Sequence, residues 1–290
     1  YESIVNKKGG NIYKLGLDFN PGRLRNSIYK PLVTFLECHR YDVVHIHSGS
    51  ISVLEIVSRA AKKNGVKIFN LEDIYDIEDL IFLSTEFDRI ISPERFKSKQ
   101  LYNIHFSLLP KYKGVYTCVM PILNGEKNTG VTLHKIRRGI DTGEIIDQEK
   151  IVIDNNDSSF DLYEKLLKSG TEVVIRNLRG IVNGQIVSSP QSKIDSTYVS
   201  AKSINYSKLE LDVNCTAFQI RNQIRAFNFR PYQILKWNDN NYIDADILDN
   251  ESIHKPGTVI EDSELYTIIS SIDYDIVLYK DVPYNFVVIS

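Results

Sequence analysis

The feature that most restricts this chain is an alternation of two patterns. DVVHIHS (42–48) and VKIFN (66–70), both rich in β-branched residues, flank the amphipathic stretch ISVLEIVSRAAKKNG (51–65). That stretch ends in Asn64-Gly65, a helix-stop signal, because glycine enters the left-handed region freely. Upstream, NIYKLGL (11–17) reads as a strand, and residues 26–40 carry helical apolar spacing at Ile28, Leu32, Phe35 and Leu36. Strands separated by helices return to the same sheet in parallel. The expected class is therefore α/β, built on a Rossmann-like parallel sheet.

The rhythm continues downstream. LIFLSTE (80–86) is an apolar strand, and SPERFKS (92–98) opens like a helix, with Ser92 as cap and Pro93 at the first helical position. LYNIHFS (101–107) reads as a strand, as do GVTLHKI (130–136) and EIIDQEKIVI (144–153) around the loop RRGIDTG. Residues 157–178 form a long helix whose core face is Phe160, Leu162, Leu166, Leu167, Val173, Val174 and Leu178. The polar stretch SSPQSKIDSTYVSAKS (188–203) reads as a linker. After it come a short helix, CTAFQIRNQIRAF, and the strand-like pieces NYIDADIL, KPGTVIE, LYTIISS and DIVLYK. These predict a small β-rich C-terminal domain over 204–290, behind a core over 70–187.

Composition narrows the class. The 290 residues are 42% hydrophobic and 25% charged, the balance of a globular protein that can bury a substantial core. A net charge of −2 gives no general attraction to nucleic acid or anionic lipid. The three cysteines, Cys38, Cys118 and Cys215, show no metal-ligand spacing and no disulfide framework, which suits a reducing cytoplasm. No apolar run approaches the roughly 18 residues of a membrane helix, and YESIVNKKGG has no signal-peptide core. The only methionine is Met120, so residue 1 is not expected to be a natural start; the chain reads as trimmed, incomplete or joined.

Within this frame NIHFSLLPKYKG (103–114) stands out. Asn103, His105 and Ser107 alternate on one strand face, and Pro110 and Gly114 turn the chain at once. An exposed strand face explains such alternation equally well. Downstream, RRGIDTGEII presents Asp141 between Gly139 and Gly143. Catalytic groups of open α/β sheets gather at strand ends. A histidine there, beside an aspartate, suits an imidazole base with its orienting carboxylate. The asparagine amide suits a developing oxyanion. Together they suit addition of a nucleophile to a carbonyl-type carbon.

NIHFSLLPKYKG followed by PILNGEKNTGVTLHKIRRGIDTGEII resembles the catalytic core of the folate-dependent formyltransferases, which include methionyl-tRNA formyltransferase and nucleotide-sugar N-formyltransferases of bacterial surface-polysaccharide pathways. Asn103, His105 and Asp141 fall on the family's Asn, His and Asp, 38 residues apart from first to last. The resemblance implies that N10-formyltetrahydrofolate donates a formyl group to an amine. His105 accepts the amine's proton, Asn103 with His105 stabilises the oxyanion, and Asp141 orients His105 and assists proton transfer to the departing folate nitrogen. It places Leu83, Ser84, Thr85, Glu86 and Phe87 at the pterin pocket, with Gly139 and Ile140 as further folate contacts, and implies no metal.

Two acceptors compete. A tRNA acceptor calls for basic surface, yet residues 201–290 hold 8 Lys plus Arg against 13 Asp plus Glu, a net of −5. Residues 204–233 also resemble the sugar N-formyltransferases acting on dTDP-linked 3-amino or 4-amino dideoxysugars. The expected partner is thus a nucleotide sugar, not nucleic acid or membrane, in a cytoplasmic and in some cases homodimeric enzyme. Ser107, Lys111, Arg230 and Tyr232 are the candidate substrate contacts, with Lys113 and Arg225 as further cations; each also reads as an ordinary solvated or core residue. Residues 1–69 do not fit the family and resemble the N-terminal domain of GT-B family-4 glycosyltransferases, with His45 and His47 on a strand end. A join near residues 65–70 follows, without glycosyltransferase activity, because a second Rossmann domain is lacking. The alternatives are methionyl-tRNA formyltransferase and a non-catalytic fragment.

Overall fold

The structure is a computed structural model. It describes residues 69–85, 87, 89–230 and 233–282, with the backbone of 4–5 and 11–12. The strand and helix readings over 13–68, the glycosyltransferase-like segment with its histidines, Glu86 and Tyr232 lie outside the described residues. Strand β1 (Ile4–Val5) pairs antiparallel with β2 (Asn11–Ile12).

The chain divides into two compact units, residues 1–103 with 177–186, and residues 104–176 with 187–290. In the first, β3 (Ile81–Thr85) precedes β4 (Gln100–His105), whose last two residues belong to the second unit. The segment SPERFKS does not become a regular helix. It makes one 3₁₀ turn, Pro93–Arg95, with Ser92 before it making no side-chain cap. Phe96 then returns to extended backbone and is buried, packing its ring against Tyr75 at 4.8 Å and Phe82 at 5.4 Å. Burial of one aromatic side chain here outweighs the helix-start signal.

In the second unit, β6 (Asn128–Lys135) and β7 (Ile145–Val152) pair antiparallel, from Asn128 opposite Val152 to His134 opposite Ile145. The loop between them is too short for a crossover, so a hairpin is the only solution. Strand β6 lies between β7 and the end of β4. Helix α2 (Ser159–Val182) follows the four-residue α1 (Met120–Leu123). Its start is fixed locally: the Ser158 backbone N–H and hydroxyl both donate to Asp161, and the Asp161 N–H donates back to the Ser158 hydroxyl. Leu162, Leu166, Val173 and Ile181 form its buried stripe, narrower than expected because Phe160, Leu167, Val174 and Leu178 are only half-buried.

Residues 188–203 do not run free. Ser189 exchanges two backbone hydrogen bonds of 2.8 Å with Ile145. Further on, β8 (Tyr198–Val199) pairs in parallel with β5 (Lys113–Gly114). Helix α3 (Ala217–Ala226) starts at a capping box of Thr216 and Gln219. Five strands then form an antiparallel sheet: β9 (Leu235–Trp237), β10 (Asn240–Glu251), β11 (Val259–Asp262), β12 (Tyr266–Ser270) and β13 (Tyr274–Lys280), in the order β11-β12-β13-β10-β9. Leu235, Tyr242, Ala245, Ile269, Ile276 and Leu278 fill its core. The α/β class with a small β-rich C-terminal sheet is as the sequence predicts. Among the described residues no helix is long and apolar enough to cross a membrane.

Gly130 is where β6 admits its neighbours. A Cβ there would lie 2.1 Å from the Glu149 carbonyl oxygen and 2.6 Å from Leu108 Cδ2. The first of these is backbone of the paired strand and cannot swing away. Gly130→Ala is expected to destabilise the protein by about 1–3 kcal/mol, read as a lower urea midpoint. An unchanged midpoint would contradict this packing.

Candidate active site

The site is built at the end of β4. His105, the last residue of that strand, is 7% exposed. Its Nε2 lies 2.8 Å from the Tyr112 carbonyl oxygen. A carbonyl only accepts, so this nitrogen carries the hydrogen. The other ring nitrogen, Nδ1, lies 3.5 Å from Asp141 Oδ2.

Tyr112 reaches that position through a turn held on several sides. Its φ is +55°, its N–H donates to Thr197 Oγ1 at 2.7 Å, and its hydroxyl donates to Glu126 at 3.0 Å while accepting from Asn124. Ser107 is fully buried and its hydroxyl donates to the Lys111 carbonyl at 2.7 Å. That hydrogen bond braces the turn. Two residues on, Gly114 has φ +91° and donates its N–H to Asp141 Oδ2 at 2.8 Å. A side chain at Gly114 would strike the Val199 carbonyl at 2.2 Å, so glycine is required for β5 to lie beside β8.

Asp141 itself stands at φ +51°, a conformation disfavoured for non-glycine residues. Its Oδ1 lies 3.5 Å from Nε2 of His134, which is 2% exposed. His134 Nδ1 in turn lies 2.8 Å from the Lys135 carbonyl oxygen. The two imidazoles stand edge to face with centroids 6.4 Å apart. One carboxylate thus sits between two histidines, each of whose far nitrogens is held by a backbone carbonyl.

The electrostatics follow from burial and contact. Burial pushes the His105 imidazole below its ordinary value of 6.5, against the opposing pull of Asp141 and the Tyr112 carbonyl. Burial alone would push Asp141 up. The hydrogen bond from His134, the charge of His105 and the Gly114 N–H together outweigh it and hold the carboxyl below its ordinary value. At neutral pH the site is an uncharged imidazole beside an ionised carboxylate, which is a base with its counter-charge in place.

The other expected residues divide. Asn103 is half-buried on β4, and strand alternation puts it on the face that carries His105. Leu83 and Thr85 are half-buried at the end of β3, Ser84 is buried, and Phe87 is 38% exposed, edge-on to Phe82. Gly139 has φ +101° beside the exposed Ile140. Lys111 is exposed and 3.7 Å from Glu126, and Lys113 donates to Ser196 at 3.1 Å. Arg230 is ion-paired with Asp281, which counts against a free phosphate-binding role. Arg225 is buried, donating to the carbonyl oxygens of Asp157 and Asp154 at 2.9 and 3.1 Å, and so ties α3 to the start of α2.

Sequence reasoning passed over His134, the Tyr112 carbonyl, and Gln191, whose Nε2 donates to the carbonyls of Asp141 and Gly143, both at 2.8 Å. His134 was findable: it lies at the end of GVTLH, on the same strand face as Thr132, whose hydroxyl donates to the Ser107 carbonyl at 2.6 Å.

Comparison with known proteins gives this geometry a family. The formyl transferase domain matches residues 75–178. WlaRD, a sugar 3N-formyl transferase solved with dTDP and 5-N-formyl-THF, is 44% identical, covering 79% of this chain and 82% of that one with a TM-score of 0.72. An N-formyltransferase from Helicobacter canadensis, solved with folinic acid and dTDP-3-aminofucose, is 40% identical, covering 82% and 85% with a TM-score of 0.70. Methionyl-tRNA formyltransferase of Staphylococcus aureus (strain MW2) is 29% identical over 215 residues, 73% of this chain and 68% of that protein. Identity of 44% over four-fifths of a sugar N-formyltransferase, together with the matched domain, makes this chain a member of the formyl transferase family.

Proposed function

We propose that the protein transfers a formyl group to the amine of a dTDP-linked 3-amino or 4-amino dideoxysugar. The observation that carries this is the buried His105–Asp141 pair in a chain 44% identical to a sugar 3N-formyl transferase. N10-formyltetrahydrofolate supplies the formyl carbon, whose bond to N10 is exchanged for a bond to the sugar nitrogen. The acidic balance of residues 201–290 and the lower identity to methionyl-tRNA formyltransferase, 29%, favour a sugar over a tRNA acceptor. We place the reaction in the cytoplasm, in surface-polysaccharide synthesis such as that of lipopolysaccharide O-antigen. We also take residues 70–187 as the catalytic core, 188–203 as its connection and 204–290 as the accessory domain.

The residues divide the work as follows. His105 takes the acceptor's proton at Nδ1, the nitrogen that faces Asp141 and carries no hydrogen, directly or through a water. The resulting imidazolium is paired with Asp141 and still donates to Tyr112, so no charge is left bare. Asn103 donates to the formyl oxygen as negative charge develops on it. The proton then passes to the folate nitrogen as the carbon–nitrogen bond breaks, which returns His105 to its starting form. The half-buried end of β3 and the exposed Phe87 suit a flat heterocycle held through backbone groups. Lys111 remains the candidate for the pyrophosphate.

Three outcomes test this reading. Incubated with the formyl donor and a panel of dTDP-, UDP- and GDP-amino sugars, the protein should add one formyl mass to a dTDP sugar; formylation of initiator tRNA alone would overturn the choice of acceptor. His105→Ala and Asp141→Asn should each lower kcat by about 10²–10⁴-fold with the thermal midpoint retained, and unaltered turnover in His105→Ala would remove the mechanism. Because His105 must be neutral to act and burial lowers its pKa, kcat/KM should hold as pH falls to the ordinary imidazole value of 6.5 and decline only below it. A decline centred above 6.5 would contradict a base of this kind.

A further inference from the structure

Asp141 cannot hold its place by its own backbone preference. At φ +51° it occupies a conformation that a non-glycine residue enters only when its surroundings require it. The flanking glycines leave the loop free to take other shapes. Across its base, Arg137 and Glu144 form a two-pronged ion pair at 2.9 and 3.1 Å, but both side chains are substantially solvent-exposed. Such a pair holds the loop's stem rather than its tip.

The tip is held from elsewhere in the chain. Gln191, 50 positions beyond Asp141, donates from one amide nitrogen to the Asp141 carbonyl at 2.8 Å and to the Gly143 carbonyl at 2.8 Å. The two hydrogens of that nitrogen are thereby both used, on either side of Thr142. The amide's orientation is fixed by this alone, since two carbonyls can face only its nitrogen. Its Oε1 is buried and has no hydrogen-bond partner among the described residues. A residue that served only to fill space or knit the surface would gain by satisfying both ends of the amide. Here the donor end is satisfied completely and the acceptor end not at all. The same segment holds the facing turn, for Thr197 accepts from the Tyr112 N–H at 2.7 Å and its N–H donates to the Pro110 carbonyl at 3.2 Å. Residues 191–197 therefore grip both loops that meet at the carboxylate.

We propose that Gln191 is a positioning residue for formyl transfer: its amide clamps the turn that carries Asp141 and sets how the carboxylate meets His105 and His134. This rests on the function proposed above. It assigns catalytic weight to a segment whose polar composition reads as a connector. Without the clamp the turn relaxes and the carboxylate draws away from His105.

The test uses Gln191→Ala and Gln191→Glu in the full chain. With formyl-folate and the dTDP-amino sugar, kcat should fall by about 10- to 100-fold, since a displacement on the order of 1 Å has such an effect. KM for both substrates should stay within about threefold, because Gln191 touches neither in this account. The glutamate variant should be worse than the alanine, because a carboxylate would face two carbonyls. Withdrawal of Asp141 removes the charge that raises the His105 pKa, so the acid limb of the rate profile should move to lower pH. Hydrogen exchange measured by mass spectrometry should quicken over residues 137–146 at an unchanged thermal midpoint. Wild-type kcat in Gln191→Ala overturns the proposal, as does a loss that merely tracks the melting temperature with the acid limb unmoved. Should the wild type formylate no amino sugar, the function reading fails by itself. The clamp is then decided by exchange alone: faster exchange in the variants supports it and unchanged exchange overturns it.

Discussion

A carboxylate buried without partners would be driven to its neutral form, because water solvates the charge far better than protein does. Asp141 keeps its charge because the Gly114 N–H and the His134 imidazole meet it, and His105 adds to this once it is protonated. Much of the second unit can be read as the means of bringing those three groups together. The N–H comes from the turn after β4, one imidazole from the end of β4 and the other from the end of β6. The aspartate itself comes from the hairpin that joins β6 to β7. The four contributions come from two separate stretches, 105–114 and 134–141, so the site exists only once the sheet has brought them together.

That dependence explains several otherwise unrelated local features. Left-handed backbone at Tyr112, Gly114 and Asp141 is concentrated in the two turns that meet there. Each turn would be unstable alone, and each is secured by groups outside it. Buried Ser107 and the Tyr112 hydroxyl secure the first from within and from α1's far end, while Thr197 and Gln191 reach across from the segment before β8. The Tyr112 carbonyl completes the arrangement by keeping the hydrogen of His105 on Nε2. The tautomer of the base is thereby set before any substrate arrives, which is the preorganisation that electrostatic catalysis requires.

How much of this was legible in the sequence depended on which atoms carry it. The alternation of apolar runs predicted the α/β class, and strands β4, β6 and β7 and helix α2 were found because their patterns extend over many residues. Asn103, His105 and Asp141 were singled out because side chains with the right chemistry recur at a family's spacing, and the fold brings His105 and Asp141 together. The Tyr112 carbonyl and the Gly114 N–H left no mark, since every residue has such groups and only the turn aims them. Gln191 was overlooked for a related reason: its partners are also carbonyls, and a polar segment between two domains reads as a linker. For Ser107 and Arg225 the sequence leaves two readings open, because a hydroxyl or guanidinium that closes backbone hydrogen bonds inside the protein looks the same in sequence as one that meets a ligand. At Pro93 the start signal was read correctly and the length was not, because Phe96 is drawn into the core.

The family relationship and the geometry support one chemical account, in which a neutral imidazole and an ionised carboxylate wait side by side. The most direct test of that account is ¹⁵N NMR of the His105 ring in the intact protein near neutral pH, assigned by comparison with a His105→Gln variant. The account predicts an uncharged ring with hydrogen on Nε2 alone, gaining its second proton only below 6.5. A ring already doubly protonated at neutral pH, or carrying its hydrogen on Nδ1, would contradict it.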